Sequence, residues 1–171
     1  MNGQAMQKMM EYMTPGAPHT ELAACVGHWK TTIKMWMGPG DPTVMQGMAD
    51  YEMILGGRYL SGKQTGSFNG MAYEGHVLDG YDNGKKEYFS ILVDNMGTGV
   101  VHLSGKASDD PKVMTLTGTM YEPSAGKDLK VRQEIRHDSD THWVLSMWGD
   151  MKGPDGKMHE MKMMEIAADK I

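Results

Sequence analysis

Two arginines, Arg58 and Arg132, are the charges with the most chemical potential in this chain. A guanidinium presents a planar fork of donors that can hold a carboxylate or phosphate through two parallel hydrogen bonds. An arginine aimed into a cavity therefore predicts an acidic ligand. Each also has a structural alternative, as a cation over an indole such as Trp29 or as the partner of Glu134 or Asp94, worth on the order of 1–2 kcal/mol. Glu134, Asp94, Tyr51, Tyr88 and Glu165 could supply acid or base groups if they face the same space, since catalysis needs a nucleophile beside a base or two groups with separated pKa values. Cys25 has no activator near it in sequence and reads as a small hydrophobe. There is no Gly-x-Ser-x-Gly elbow, phosphate loop or dinucleotide fingerprint.

Metal chemistry is the other option. None of the seven histidines, His19, His28, His76, His102, His137, His142 and His159, is spaced with a carboxylate to make a tetrahedral site. His137 and His142 flank a turn and read as solvated; His19 reads as a helix N-terminal residue. Twenty methionines are a sharper signal, because thioethers favour Cu(I). The competing reading is core filling: Met161 and Met163 alternate like one face of a strand, and Met6, Met9, Met10 and Met13 form one helical stripe. No metal site and no cofactor is predicted.

These side chains need a scaffold, and 171 residues suffice for about one domain. The net charge of −5 supplies no cationic field for a nucleic-acid backbone. Apolar runs fall far short of the roughly 20 residues of a membrane helix. Val, Ile, Leu and Phe are scarce, and Met, Trp and Tyr supply the missing bulk. A single cysteine excludes an internal disulfide, and the polar residues among the first thirteen leave no signal-peptide core. A soluble cytoplasmic protein, monomer or homodimer, with a small molecule as its partner is the expectation.

Helical spacing predicts a helix before Thr14-Pro15-Gly16 and a second from Pro18 to Ala24, with Leu22 and Val26 turned inward. Ten β-rich runs follow: 28–37, 43–55, 58–67, 73–81, 86–94, 99–104, 113–121, 129–138, 141–147 and 157–166. Turn-forming sequences such as Gly-Pro-Gly-Asp and Asp-Asn-Gly join them. Strands in succession with short loops make an antiparallel meander, and one this long curls shut to remove its edges. The fold class is mainly β: one closed antiparallel barrel over 18–171 with a helical extension over 1–17.

In 129–137 the apolar alternation makes Gln133 the inward companion of Leu129, Val131 and Ile135. Arg132 then shares the outer face with Lys130, Glu134 and Arg136, unless a bulge near Gln133 reverses the parity.

Gly27-His28-Trp29, Leu55-Gly56-Gly57-Arg58-Tyr59-Leu60, Gly80-Tyr81-Asp82-Asn83, Asp94, Thr98-Gly99, Lys130-Val131-Arg132 and Met163-Met164-Glu165-Ile166 occur in that order. Over about residues 18–167 the chain resembles the bacterial family known as domain of unknown function 1579, and more loosely lipocalin-like and nitrobindin-like barrels. The resemblance implies a calycin-type barrel and no settled activity. By likeness to lipocalins, Arg132 would cover the Trp29 indole at a closed end. No histidine matches a proximal haem ligand.

The functional expectation is a cavity lined by Met, Trp and Tyr with one or two arginines, binding a small apolar or acidic molecule. Its residues are Arg58, Arg132, Trp29, Tyr51, Tyr88, Asp94 and Glu134. The alternatives are a cofactor-independent lyase or isomerase in the same cavity and a methionine-based copper carrier.

Overall fold

The computed structural model describes residues 3–171; Met1 and Asn2, at the start of the expected helical extension, lie outside the described residues. Helices α1 (Gly3–Met13) and α2 (Ala17–Leu22) and a 3-10 turn (Ala23–Cys25) precede ten strands. These are β1 (Gly27–Met35), β2 (Thr43–Ile54), β3 (Tyr59–Phe68), β4 (Met71–Asp82), β5 (Glu87–Asp94), β6 (Val101–Gly105), β7 (Val113–Glu122), β8 (Lys127–Ser139), β9 (His142–Lys152) and β10 (Met158–Lys170). Each pairs antiparallel with its sequence neighbour, and β10 returns to β1, so the barrel is closed. The turns supply the backbone shapes this needs. Asn69 and Gly70, the two residues between β3 and β4, both have positive φ (49° and 81°), as a two-residue turn matched to the strand twist requires.

Alternation decides what enters the barrel. Leu129, Val131, Gln133 and Ile135 of β8 are buried, whereas Lys130 and Arg136 are exposed and Arg132 and Glu134 half-exposed. The β8–β9 register runs unbroken from Val131 to His137, so no bulge at Gln133 turns Arg132 inward. A bulge does occur in β10, between Lys162 and Met164. It lets the neighbours Met163 and Met164 both pack on the core. Trp29, Leu60, Leu103 and Leu116 are the largest fully buried side chains. Trp29 meets Trp143 edge-on at 5.8 Å, and Trp143 meets Tyr51 at 6.2 Å, a geometry that suits aromatic quadrupoles.

The segment α2 with the 3-10 turn caps one mouth. Leu22 and His19 are buried. His19 Nδ1 accepts the Gly16 N–H at 3.0 Å, and its ring stands edge-on to Tyr81. The Tyr88 hydroxyl donates to Glu21, and the Trp29 indole N–H donates to Cys25 O at 2.8 Å.

Three expectations are corrected. Val26 is exposed, because the chain leaves the 3-10 turn extended there and Leu22 and Cys25 take the inner side. His137 is half-buried rather than solvated, because it lies under the cap with Nε2 3.6 Å from Cys25 Sγ. The methionine stripe of α1 is not core, since no residue of that helix is buried. The cap already fills the mouth, and α1 is held from its C-terminal end. Asn83 Nδ2 donates to Glu11 O, Tyr12 O and Thr14 O, and Arg58 Nη2 donates to Met13 O at 2.7 Å.

Candidate functional site

A cavity of about 70 Å³ lies inside the barrel beneath the cap. Leu60, Val77, Leu92, Ile135, Leu145 and Ile166 make much of its wall apolar. Into this apolar frame the strands project Tyr51, Gln64, Asp79, Ser90 and Gln133, while Cys25 reaches in from the cap.

Local sequence explains the placement. Tyr51 of β2 pairs with Gly62 of β3, and its ring lies where a Gly62 side chain would stand. The Tyr51 hydroxyl then accepts the Gln64 amide N–H at 2.9 Å. Asp79 shares the inner face of β4 with Val77 and pairs across β5 with Ser90, whose hydroxyl bonds to the carboxyl. Asp79 is 8 % exposed.

The electrostatics follow from burial. Loss of water pushes the Asp79 carboxyl from 3.8 up to about 6, against a smaller downward pull from Ser90. Burial raises the Tyr51 hydroxyl too, helped by Asp79, while the Gln64 hydrogen bond opposes it. The Cys25 thiol rises to about 12 through burial and the neighbouring Asp79, with Lys170 acting the other way. Burial lowers His137. Cys25 and His137 are therefore a neutral pair near pH 7, not a thiolate and an imidazolium.

Two buried polar atoms lack a hydrogen-bond partner among the described residues, Asp79 Oδ1 and Trp143 Nε1. Both residues line the cavity. An unmet buried group of this kind costs about 1–3 kcal/mol, so two residues of the chamber wall each carry an unsatisfied polar atom, one acceptor and one donor.

Of the residues expected at the site, Tyr51 alone lines this chamber. Trp29 is core, and the cation over its ring is Lys170, with Nζ at 5.2 Å. Arg132 instead stacks on Trp148 outside the wall at 3.9 Å and binds Glu160 at 2.9 Å and Glu134 at 3.5 Å. Glu134 is thus an outer-face partner of that arginine. Tyr88 is spent on Glu21 at the rim. Asp94 ends β5 at the other mouth, where its Oδ1 accepts the Met96 N–H at 2.9 Å.

Arg58 sits at the rim, donating to Leu55 O and Met13 O. It borders a second hollow of about 210 Å³ with His19, Tyr59, Tyr81, Asn83 and Phe89. That hollow is the socket of the α1 terminus.

Asp79, Gln64, Ser90 and Trp143 were not anticipated. The available signal was parity: Asp79 falls two residues after Val77 on an alternating strand, which points a carboxyl inward.

Among the described residues no group of three or more His, Cys, Asp or Glu side chains could hold a metal ion. Among the described residues no helix is long and apolar enough to cross a membrane.

The family described as protein of unknown function (DUF1579) matches residues 14–170. The chain belongs to the DUF1579 family. None of the curated proteins matches it. Among solved structures, Rv2717c from M. tuberculosis superposes on this DUF1579 chain with a TM-score of 0.65 at 12% identity, covering 92% of this chain and 99% of that one. At that identity the likeness is one of fold. The DUF1579 match begins at Thr14, so it takes in the cap and the barrel but not α1.

Proposed function

We propose that this protein binds a small ligand inside the barrel, and that Asp79 is its recognition group. The carrying observation is a carboxyl buried in a mainly apolar chamber with Oδ1 unpartnered. Burying an ionisable group without a full set of partners is costly, and such groups concentrate at functional sites. With Arg58 and Arg132 outside the chamber, the anchor for a ligand is an acceptor. The ligand is therefore a hydrogen-bond donor rather than an acid, neutral or cationic, with a small apolar remainder.

Size sharpens this. Drug-sized ligands occupy pockets of about 300–1,000 Å³, whereas this one measures about 70 Å³. The ligand has few heavy atoms unless the α2 cap swings away. Water is the competing occupant, since a cavity of this size with polar groups such as Asp79 and Gln64 in its wall can hold it.

The test is a titration of the labelled protein with methylammonium and with acetamide, followed at the Trp143 indole N–H by NMR. Saturable shifts with the wild type that vanish in Asp79→Asn support binding. No shift with either probe, or equal shifts in both proteins, contradicts the assigned role.

A second reading, proton-transfer catalysis of the lyase or isomerase type, draws on the same carboxyl. A group titrating at about 6 is poised to give or take a proton at neutral pH, and Tyr51 lies in the same chamber. Turnover that is lost in Asp79→Asn while probe binding persists would select it. Cytoplasmic residence fits a chain whose one cysteine is a free thiol.

A further inference from the structure

Helix α1 has an apolar face that the fold does not use. At about 100° per residue, Met6, Met9, Met10 and Met13 fall within an arc of about 100°. They are 49%, 45%, 56% and 52% exposed. Of that arc only Met13 borders the socket, and the barrel holds α1 by its last carbonyls through Asn83 and Arg58. The polar side carries Gln7 and Glu11, bonded to each other at 3.0 Å. The arc carries thioethers alone.

Their spacing is that of a ligand set. Met9 and Met10 each lie three or four residues from both Met6 and Met13, and such pairs are neighbours on a helix, with Cβ atoms about 5–6 Å apart. Flexible side chains with three rotatable bonds can close that gap. Three sulfurs from one triangle, Met6, Met9 and Met10 or Met9, Met10 and Met13, can therefore converge on one ion. Thioethers are soft, neutral donors that select Cu(I), while Zn²⁺ and Mg²⁺ prefer nitrogen, thiolate or oxygen ligands. The arc has none of these, and no cluster of three or more His, Cys, Asp or Glu exists elsewhere among the described residues.

We infer that α1 carries a surface Cu(I) site formed by Met6, Met9, Met10 and Met13. The sulfurs of β10 are not an equivalent set, because Met163 and Met164 are packed against the barrel core. The site is separate from the Asp79 chamber and stands or falls independently of it.

The test is anaerobic titration of the full chain with Cu(I), supplied as its acetonitrile complex, against a chromophoric Cu(I) chelator. One equivalent should bind. Replacing all four residues by leucine, which keeps helix propensity and apolarity, should weaken binding more than about 100-fold, beyond the roughly 10–100-fold typical of outer-shell changes. Replacing Met161, Met163 and Met164 by leucine should leave it unchanged. Failure of the wild type to compete, or copper binding retained by the fourfold variant, overturns the proposal. So does a fourfold variant that still binds copper but converts a dimer to a monomer, which would make the arc a contact between copies.

Methionine methyl NMR on the wild type covers the case of a variant that misfolds. Copper must shift at least three of the four α1 methyls, and shifts confined to the barrel methionines overturn the site.

Discussion

The ring of Tyr51 lies over Gly62, in space that any side chain at that position would fill. This close approach sets the depth of the tyrosine in the barrel and holds its hydroxyl 2.9 Å from Gln64 Nε2. Gly62→Ala also meets Val77, so the added methyl has no free direction. It should destabilise the protein by about 1–3 kcal/mol, as overpacking does. Urea unfolding gives the energy, and near-UV circular dichroism should report the displaced tyrosine beside Trp143. An unchanged midpoint would mean that Tyr51 has room to move.

The two sides of the barrel wall should respond differently to truncation. Trp29 is 1 % exposed, and its N–H is bonded to the cap. Trp29→Ala should cost about 3–5 kcal/mol. Arg132→Ala removes a half-exposed stack on Trp148 and its ion pairs, worth about 1 kcal/mol or less. A loss for Arg132→Ala as large as that for Trp29→Ala in chemical denaturation would contradict the outward placement of the arginine.

Asp79 should tilt the pH dependence of stability in an unusual direction. Its folded pKa of about 6 exceeds the ordinary 3.8 because burial penalises the charge, so the folded state holds the proton more tightly than the unfolded chain does. The stabilisation from the neutral carboxyl is fully present below about 3.8 and is lost as pH rises through about 6. Asp138, Glu160 and Glu165 shift the opposite way, so the comparison must be with Asp79→Asn. The variant should gain stability relative to the wild type between pH 4 and pH 8, on the order of 2–3 kcal/mol. Parallel curves would mean that Asp79 is better solvated than its burial indicates.

Release of α1 should leave the barrel intact. In Asn83→Ala with Arg58→Ala, the carbonyls of Glu11, Tyr12, Met13 and Thr14 lose their donors. Tryptic cleavage after Lys8 should accelerate, while the unfolding midpoint of the barrel changes little. Unchanged cleavage would show that α1 is held by something other than these hydrogen bonds.

The architecture was legible because strand formation and closure follow from local rules. The ten β-rich runs each overlap one observed strand, and the parity of Leu129, Val131, Gln133 and Ile135 gave the correct inner face. The chamber was much less legible. Arg58 and Arg132 attracted attention by their chemistry, yet one is used on helix-end carbonyls and the other on an indole and carboxylates outside the wall. Which cation covers Trp29 depends on how β10 lies against β1, and the answer is Lys170. Asp79 was readable from its own strand once parity was applied, but the absence of a partner for Oδ1 depends on the six other strands that line the chamber. The α1 stripe had the right period and the wrong destination, because periodicity marks a face without saying what covers it.

The central claim is that the barrel interior is a ligand site keyed by Asp79. Its most direct test is a high-resolution crystal structure of the wild type soaked with saturating methylammonium or acetamide. The expected result is a probe molecule in the chamber within hydrogen-bond distance of Asp79 Oδ1. Ordered waters alone on Asp79 Oδ1 and Trp143 Nε1, with no probe at saturation, would contradict the claim and leave the chamber a hydrated part of the core.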